Sequence, residues 1–289
     1  MKIVKLKSPA KINLILEVIR KLPNGFHKLR TVMMKLENLY DEIEIVFNKN
    51  NQNLEIACEN KDVPADKRNI CWKIAEKFFE KTGHRIGLGI KIKKNIPLAS
   101  GMGGGSSNGA SVLLAFNDYF KNPLNFKELV ELASGIGKDI PFFLQKERAA
   151  FVSGMGEKIK PLKNFPRINL LIINSGRKIT TPWAYGEIDR KLIFMNNRSR
   201  KNISLKFLES LKSLENMSLC LYNDFEIIAK NKYSDIEILE KALISFGAEG
   251  ASLSGKGPTV FGFFKNKKGA QKARTELKKY FPSYFIELG

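Results

Sequence analysis

Cysteine and histidine are scarce in this 289-residue chain, which limits how it can be crosslinked or bind a metal. The three cysteines, Cys58, Cys71 and Cys220, are widely separated and form no CxxC pair, so we interpret them as reduced structural thiols. His27 and His84 do not have the spacing of a zinc site. A chain of this length can bury a core without crosslinks, and it has room for one large or two ordinary domains.

Long hydrophobic runs are also missing. No stretch approaches the roughly 20 apolar residues that cross a membrane. Residues 1–10 alternate lysine with aliphatic side chains and do not form the core of a signal peptide. We therefore expect a cytoplasmic protein with no membrane partner.

Acidic residues are in deficit, since 29 aspartates and glutamates face 49 lysines and arginines and leave a formal charge of +20. Such a charge raises the hypothesis of an RNA-binding protein. The basic residues are spread along the chain, however, and are not interleaved with the aromatic platforms of a single-strand binder. We interpret them as a solvated lysine-rich surface that favours a polyanionic small substrate, and we expect no nucleic-acid partner.

Periodicity predicts a mixed α+β protein. Short apolar or alternating runs typical of β-strands lie at residues 3–6, 12–19, 31–36, 43–47 and 86–92. Helical spacing predicts helices over residues 68–81, 106–120 and 126–135, with Ser106, Ser107 and Asn108 as candidate N-caps of the second. From about residue 163 the pattern becomes strand, three helices, two strands and a helix. We place a domain boundary there, which gives domains 1–158 and 159–289.

A glycine-rich loop joins the strand at residues 86–92 to the second helix and is the strongest functional signal. Residues 97–110 contain five glycines and three serines. Glycines let the backbone approach a polyphosphate closely, and N–H groups at a helix start favour anions. We predict that the phosphate groups of a ligand bind Pro97, Leu98, Ala99, Ser100, Gly101, Met102, Gly103, Gly104, Gly105, Ser106 and Ser107.

This loop matches neither of the two best-known phosphate-binding loops. Ser106 stands where the dinucleotide fingerprint needs its third glycine or alanine, and no lysine follows the glycines as in a Walker A loop. Residues 250–256 have Walker-like spacing but continue with Gly257 and Pro258. We predict a glycine-rich turn there that lines the site, and not a complete P-loop.

Three segments in this order resemble the GHMP kinases, the family of galactokinase, homoserine kinase and mevalonate kinase. They are SPAKINL at residues 8–14, the loop at 101–107 and SLSGKGPT at 252–259. The resemblance implies a two-domain fold with a ribosomal-S5-like N-terminal domain and a ferredoxin-like α+β C-terminal domain. It also implies an ATP-dependent small-molecule kinase that uses Mg²⁺.

Two further segments narrow the resemblance, PNGFHKL at residues 23–29 and GKDIPFF at 137–143. They are similar to family members that phosphorylate a tertiary alcohol carried on cytidine diphosphate in isoprenoid precursor synthesis. The resemblance implies that Asp139 is the general base and that Lys11 orients the hydroxyl. Taken singly, Lys11 also fits a strand-edge lysine, and Asp139 a helix N-cap before Pro141.

The resemblance also implies a substrate pocket. Asn13, two residues from Lys11 and on the same strand face, is expected to hold the polyol. Phe26 and Tyr185 are expected on either side of the cytosine, with His27 reading its polar edge and Thr181 binding nearby.

Alternatives are a GHMP kinase for mevalonate, homoserine or a sugar, and an RNA-binding protein. The sequence leaves a monomer and a homodimer both open.

Overall fold

The computed structural model describes residues 1–192, 203–211 and 213–289, which form two compact units. The first unit contains Met1–Ala10, Leu39–Ile96 and Gly103–Lys146. The second contains Lys11–Asn38, Pro97–Met102 and Glu147–Gly289. A domain boundary at residue 158 stays a prediction.

Two long strands contribute residues to both units. They are β1, Lys2–Lys21, and β2, His27–Asn48. The sequence predicted four short strands here, and that division was wrong. The predicted gap around Ser8 and Lys11 is continuous strand because both side chains are buried and hydrogen-bonded. A period-2 apolar pattern therefore breaks at polar residues that belong to the interior.

The first unit contains parts of β1 and β2, two further strands and four helices. Strand β3 (Leu54–Cys58) pairs in parallel with β4 (Gly87–Lys93), and β4 pairs antiparallel with the end of β2. The helices are α1 (Ile70–Thr82), α2 (Gly104–Tyr119), α3 (Phe126–Ile136) and α4 (Ile140–Phe143). Phe47, Phe78 and Phe116 are fully buried between strands and helices and pack edge to face.

The predicted helices of this unit are confirmed in place, but the start of α2 is not. Helix α1 begins after Asn69, whose side chain accepts from the backbone N–H of Cys71. Helix α2 begins at Gly104 with Gly103 as N-cap, so Ser106, Ser107 and Asn108 lie inside the helix. The prediction of these three as N-caps was wrong, because Ser107 and Asn108 bond to buried partners from other elements.

The second unit contains a four-stranded antiparallel sheet, in the order β11-β7-β10-β9. Its strands are β7 (Asn169–Asn174), β9 (Gly250–Leu253), β10 (Val260–Phe264) and β11 (Phe285–Leu288). The other strands are β5 (Ala149–Gly154), which pairs with β2 and with β6 (Lys158–Pro161), and β8 (Tyr222–Asn223), which pairs with β1.

The helices of the second unit are α5 (Thr181–Leu192), α6 (Ile203–Ser210), α7 (Leu214–Leu219), α8 (Glu226–Lys232), α9 (Asp235–Ser245) and α10 (Lys267–Tyr280). The predicted order for this half omitted β8, α8, α9 and β11. Two of these, β8 and β11, have only two and four residues, which is too short for a clear period. Within the three described ranges, no helix is long and apolar enough to cross a membrane.

Candidate active site

The glycine-rich loop takes a conformation that requires glycine at its centre. Gly101 and Gly103 have φ angles of 79° and 69°, in the left-handed region. A Cβ atom on Gly101 would lie 2.3 Å from the backbone oxygen of Ser254. Both the backbone angle and the close approach therefore exclude a side chain at residue 101.

The start of α2 offers unpaired backbone donors to a ligand. The first helical hydrogen bond runs from the N–H of Ser107 to the carbonyl oxygen of Gly103, at 2.9 Å. The N–H groups of Gly104, Gly105 and Ser106 therefore have no acceptor within the helix. The helix dipole favours negative charge at this end. A helix start of this kind is suited to binding an anion.

Lys11 connects strand β1 to the loop within the second unit. Its side chain is buried, with the residue 3% exposed. The ammonium donates to Asn13 Oδ1 at 2.6 Å and to the carbonyl oxygen of Gly101 at 2.9 Å. The backbone N–H of Lys11 donates to the carbonyl of Met102 at 2.9 Å. Lys11 and Asn13 thus meet the loop, and Lys11 is no strand-edge lysine facing solvent.

Two residues that sequence reasoning missed complete this cluster. Thr31 Oγ1 accepts from Asn13 Nδ2 at 2.9 Å and donates to the carbonyl of Ile15 at 2.6 Å. Ser254 Oγ accepts from the backbone N–H of Asn13 at 3.3 Å and donates to the carbonyl of Gly101 at 3.2 Å. Ser254 lies in a recognised motif and could have been found; Thr31 carries no local signal beyond its place in a strand.

The Walker-like segment forms strand β9 and then enters the hairpin loop that leads to β10. The N–H of Ser254 donates to the carbonyl of Thr259 at 2.8 Å, and the N–H of Gly257 donates to the carbonyl of Ser254 at 2.9 Å. A strand follows, where a P-loop continues into a helix. The prediction of a turn in place of a P-loop is confirmed. Lys256 Nζ donates to Thr181 Oγ1 across this end of the second unit.

His27 and Tyr185 come together in the second unit. Their rings stack with centroids 4.6 Å apart and an interplanar angle of 25°. His27 Nε2 lies 2.6 Å from Asp189 Oδ1, and Lys21 Nζ donates to Asp189 Oδ2 at 2.7 Å. Phe26, in contrast, is 51% exposed. The structure therefore provides a buried histidine whose ring face and Nε2 both have protein partners.

Asp189 is a further residue that sequence reasoning missed, and its carboxylate orients His27. Burial raises the pKa of Asp189, but the hydrogen bonds from Lys21 and His27 outweigh this effect and lower that pKa below its usual value. Thr181, Tyr185 and Asp189 are spaced four residues apart along α5, so they share one helix face. That spacing would have indicated Asp189 once the helix had been placed.

Asp139 stands at the N-cap position of the short helix α4, in the first unit. Its φ and ψ angles are −87° and −14°, and its side chain makes no capping hydrogen bond. Asp139 therefore occupies the N-cap position that the alternative interpretation gave it, without a capping hydrogen bond from its side chain. Neighbouring Lys138 donates to the carbonyl of Ser134 at 3.0 Å.

Comparisons with known proteins identify the family. The profile of the GHMP kinases N terminal domain matches residues 69–147, and that of the GHMP kinases C terminal matches residues 200–283. A 4-diphosphocytidyl-2-C-methyl-D-erythritol kinase of Pelobacter propionicus is 36% identical over 277 residues, which cover 96% of this chain and 95% of that one. This chain belongs to the GHMP kinase family.

A second relative of this GHMP kinase has the same name as the first. The protein of Clostridium botulinum is 35% identical over 281 residues, covering 97% of this chain and 98% of its own. The predicted kinase family and its two-domain α+β fold are thereby confirmed.

Solved structures of GHMP kinases agree with this fold. A crystal structure of 4-(cytidine 5'-diphospho)-2C-methyl-D-erythritol kinase has a TM-score of 0.82 and 26% identity, over 99% of this chain and 98% of that one. A crystal structure of L. major mevalonate kinase in complex with R-mevalonate has a TM-score of 0.77 at 17% identity, over 99% of this chain and 94% of that one. At that identity the likeness concerns the fold alone.

Within residues 1–192, 203–211 and 213–289, no group of three or more histidine, cysteine, aspartate or glutamate side chains could hold a metal ion. Phosphate oxygens of ATP are themselves ligands for Mg²⁺ in kinases.

Proposed function

We propose that this GHMP kinase transfers the γ-phosphoryl group of ATP to the C2 hydroxyl of 4-(cytidine 5'-diphospho)-2-C-methyl-D-erythritol, a step of isoprenoid precursor synthesis. The observation that carries the proposal is the likeness to kinases named for this substrate over 96% of the chain. The Lys11, Asn13 and Gly101 cluster supports it, because it places polar groups beside a loop suited to phosphates.

ATP is proposed to bind along residues 97–107. The free N–H groups at the start of α2 would receive the phosphates, and the glycines would let the backbone approach them. Mg²⁺ is proposed to enter with the nucleotide, bridging its β- and γ-phosphate oxygens and neutralising their charge. Ser106 or Ser107 would add a hydroxyl to the phosphates or the ion.

Asp139 and Lys11 are proposed as the catalytic residues. The C2 oxygen forms a bond to the γ-phosphorus while the bond from that phosphorus to the β,γ-bridging oxygen breaks and ADP leaves. The hydroxyl proton passes to the Asp139 carboxylate, a step that contributes about 10² to 10⁴ in rate. Lys11 would orient the hydroxyl and stabilise negative charge on its oxygen. Positioning and charge neutralisation supply most of the remaining acceleration.

The cytidine end of the substrate is proposed to bind near His27. The exposed ring of Phe26 would cover one face of the base. Tyr185 already stacks on His27, so its ring and that of His27 form a joined aromatic surface. Asp189 fixes the orientation of His27, which would then present one defined edge to the base. Asn13 and Thr181 would bind the polyol and diphosphate portions.

ATP consumption tests the proposal directly. The purified protein would be assayed with the cytidyl substrate, mevalonate, homoserine and galactose at matched concentrations. Turnover with the cytidyl substrate alone is expected. Turnover with one of the others would keep a kinase and remove the cytosine pocket, whereas no turnover with any, together with salt-sensitive RNA binding, would favour the RNA-binding alternative. Cytoplasmic location and oligomeric state stay predictions.

A further inference from the structure

A fully buried carboxylate lies against the first turns of α2 in the first unit. The side chain of Asp41, on β2, has 0% exposure. Its Oδ1 accepts from the backbone N–H groups of Asn95 at 2.8 Å and Ile96 at 2.9 Å. Its Oδ2 accepts from Asn108 Nδ2 at 2.9 Å and from Lys94 Nζ. One side chain therefore joins β2, the segment after β4, and the first turns of α2.

Lys94 brings a positive charge to the start of α2. Its side chain is 6% exposed, and its ammonium also donates to Asn108 Oδ1 at 3.2 Å. A Cβ atom on Gly104 would lie 3.0 Å from Lys94 Nζ, so the ammonium sits directly behind the first residue of the helix. A cation is unfavourable at the positive end of a helix dipole. Asp41 offsets this charge inside the protein.

The network continues to a residue of the predicted phosphate loop. Asn108 Nδ2 also donates to Ser8 Oγ at 3.0 Å, and Ser8 Oγ donates to Ser107 Oγ at 2.8 Å. Ser107 is fully buried, so this bond fixes the direction of its hydroxyl. Asp41 is thus connected through Asn108 and Ser8 to Ser107. None of these contacts requires Asp41 itself to touch a nucleotide.

We infer that Asp41 is a positioning residue of the nucleotide site, which holds residues 94–96 and the first turns of α2 in a single arrangement by compensating the charge of Lys94. The inference rests on the proposed binding of ATP at residues 97–107. Binding of the alcohol substrate is not expected to depend directly on Asp41. Loss of Asp41 should therefore weaken ATP binding selectively, whereas a role in folding alone would lower stability and leave both KM values unchanged.

The test compares Asp41→Asn with a matched exposed pair. Glu42 and Lys93 lie one residue away on the same two chain segments, 3.0 Å apart, with side chains 50% and 59% exposed. We would measure kcat, KM for ATP and KM for the alcohol, and the Kd for ATP by calorimetry. Asp41→Asn is expected to raise both KM and Kd for ATP about tenfold or more, because small misplacements of a site have effects of this size. Glu42→Gln should change neither.

A double variant separates charge compensation from the hydrogen bonds alone. Asp41→Asn combined with Lys94→Met removes the carboxylate and the buried cation together, and it should restore the Kd for ATP to within about threefold of wild type. Failure of the double variant to restore ATP binding would contradict charge compensation. An Asp41→Asn protein with ATP constants within twofold of wild type would overturn the inference.

A third variant covers the case in which Asp41→Asn does not fold. Asn108→Ala removes the amide that joins Asp41 to Ser8 while favouring the helix. A selective rise of about threefold in the Kd for ATP supports the inference, because a neutral hydrogen bond has an effect of this order. An unchanged Kd overturns it. The calorimetric Kd does not depend on turnover, so failure of the proposed alcohol substrate would not be mistaken for failure of this inference.

Discussion

Lys11 and Lys94 both bury their side chains against the glycine-rich loop, each within its own unit, at Gly101 and Gly104. Lys94 bonds to Asp41 and Asn108, which belong to the scaffold under the loop. Lys11 bonds to Asn13 and to the carbonyl of Gly101, which are both predicted to take part in ligand binding. Burial alone therefore does not distinguish a scaffold lysine from one that is proposed to be catalytic, whereas their hydrogen-bond partners differ.

Asp139→Asn has the largest expected effect, because Asp139 is the group proposed to accept the proton of the alcohol. Turnover should fall by about 10² to 10⁴, because the amide cannot accept the hydroxyl proton. The Kd for ATP should change little, since Asp139 is proposed to act on the alcohol. Steady-state kinetics and calorimetry measure the two quantities.

Asp118 supplies the control for this variant, because it is exposed on α2 of the same unit. Asp118→Asn should behave as wild type. An Asp139→Asn protein with turnover close to wild type would contradict the general-base assignment. The proposed catalytic role of Lys11, which distinguishes it from Lys94, would then lose its partner.

Lys11→Met addresses the lysine itself. We expect kcat to fall by about 10² to 10³, because a positive donor near the reacting oxygen is lost from a buried position. The fall should exceed that caused by Lys94→Met, whose effect should be concentrated in KM for ATP. Lys5→Met on the same strand is the control, since the Lys5 side chain is 78% exposed. Equal kinetic effects of the Lys11 and Lys94 variants would break the comparison.

Thr31→Val sharpens the description of the Lys11 cluster. The substitution removes the hydroxyl that accepts from Asn13 and leaves that buried amide without this partner. We expect KM for the alcohol to rise about twofold to tenfold, since a hydrogen bond of this kind contributes about 0.5–1.5 kcal/mol. KM for ATP should be unchanged, and so should the kinetics of Thr275→Val, an exposed threonine on α10. A rise confined to KM for ATP would place Asn13 with the nucleotide.

Local sequence signals predicted the segments that carry the chemistry. The glycine loop, the motif around Lys11 and the helices at residues 70–82 and 126–136 each have a composition or a period that acts over a few residues. Gly101 needs a positive φ, and its neighbours in sequence already indicate a turn of that kind. These features depend on short-range physics and are readable without a structure.

The remaining site residues depend on long-range partners. Asp41 is 67 residues from Asn108, and Thr31 is 18 residues from Asn13. A buried polar residue in a strand looks like a break in the apolar pattern, so the pattern alone suggested a strand end near Ser8. Only the tertiary hydrogen bonds show that such residues belong to the interior.

Lys230 is a partly buried lysine with two carboxylate partners, and here one of these partners responds to pH. Lys230 Nζ lies 2.5 Å from Glu240 Oε2 and 2.7 Å from Glu226 Oε1. Burial, together with the smaller effect of the negative charge of Glu226, raises the pKa of Glu240 from 4.5 to about 7 against the opposing effect of Lys230. One carboxyl group of the Lys230 cluster therefore titrates near neutrality.

The folded protein holds the Glu240 proton up to about pH 7, whereas the unfolded chain releases it near 4.5. Between these values the folded state binds more protons, so the free energy of unfolding should fall as pH rises. Glu240→Gln should reduce the change in the free energy of unfolding between pH 5.5 and 8 by on the order of 1 kcal/mol. Urea unfolding at the two pH values measures it, with Glu237→Gln, an exposed glutamate on the same helix, as control. An unchanged slope in Glu240→Gln would mean that Lys230 keeps Glu240 ionised, which would make its cluster equivalent to the Lys94 pair.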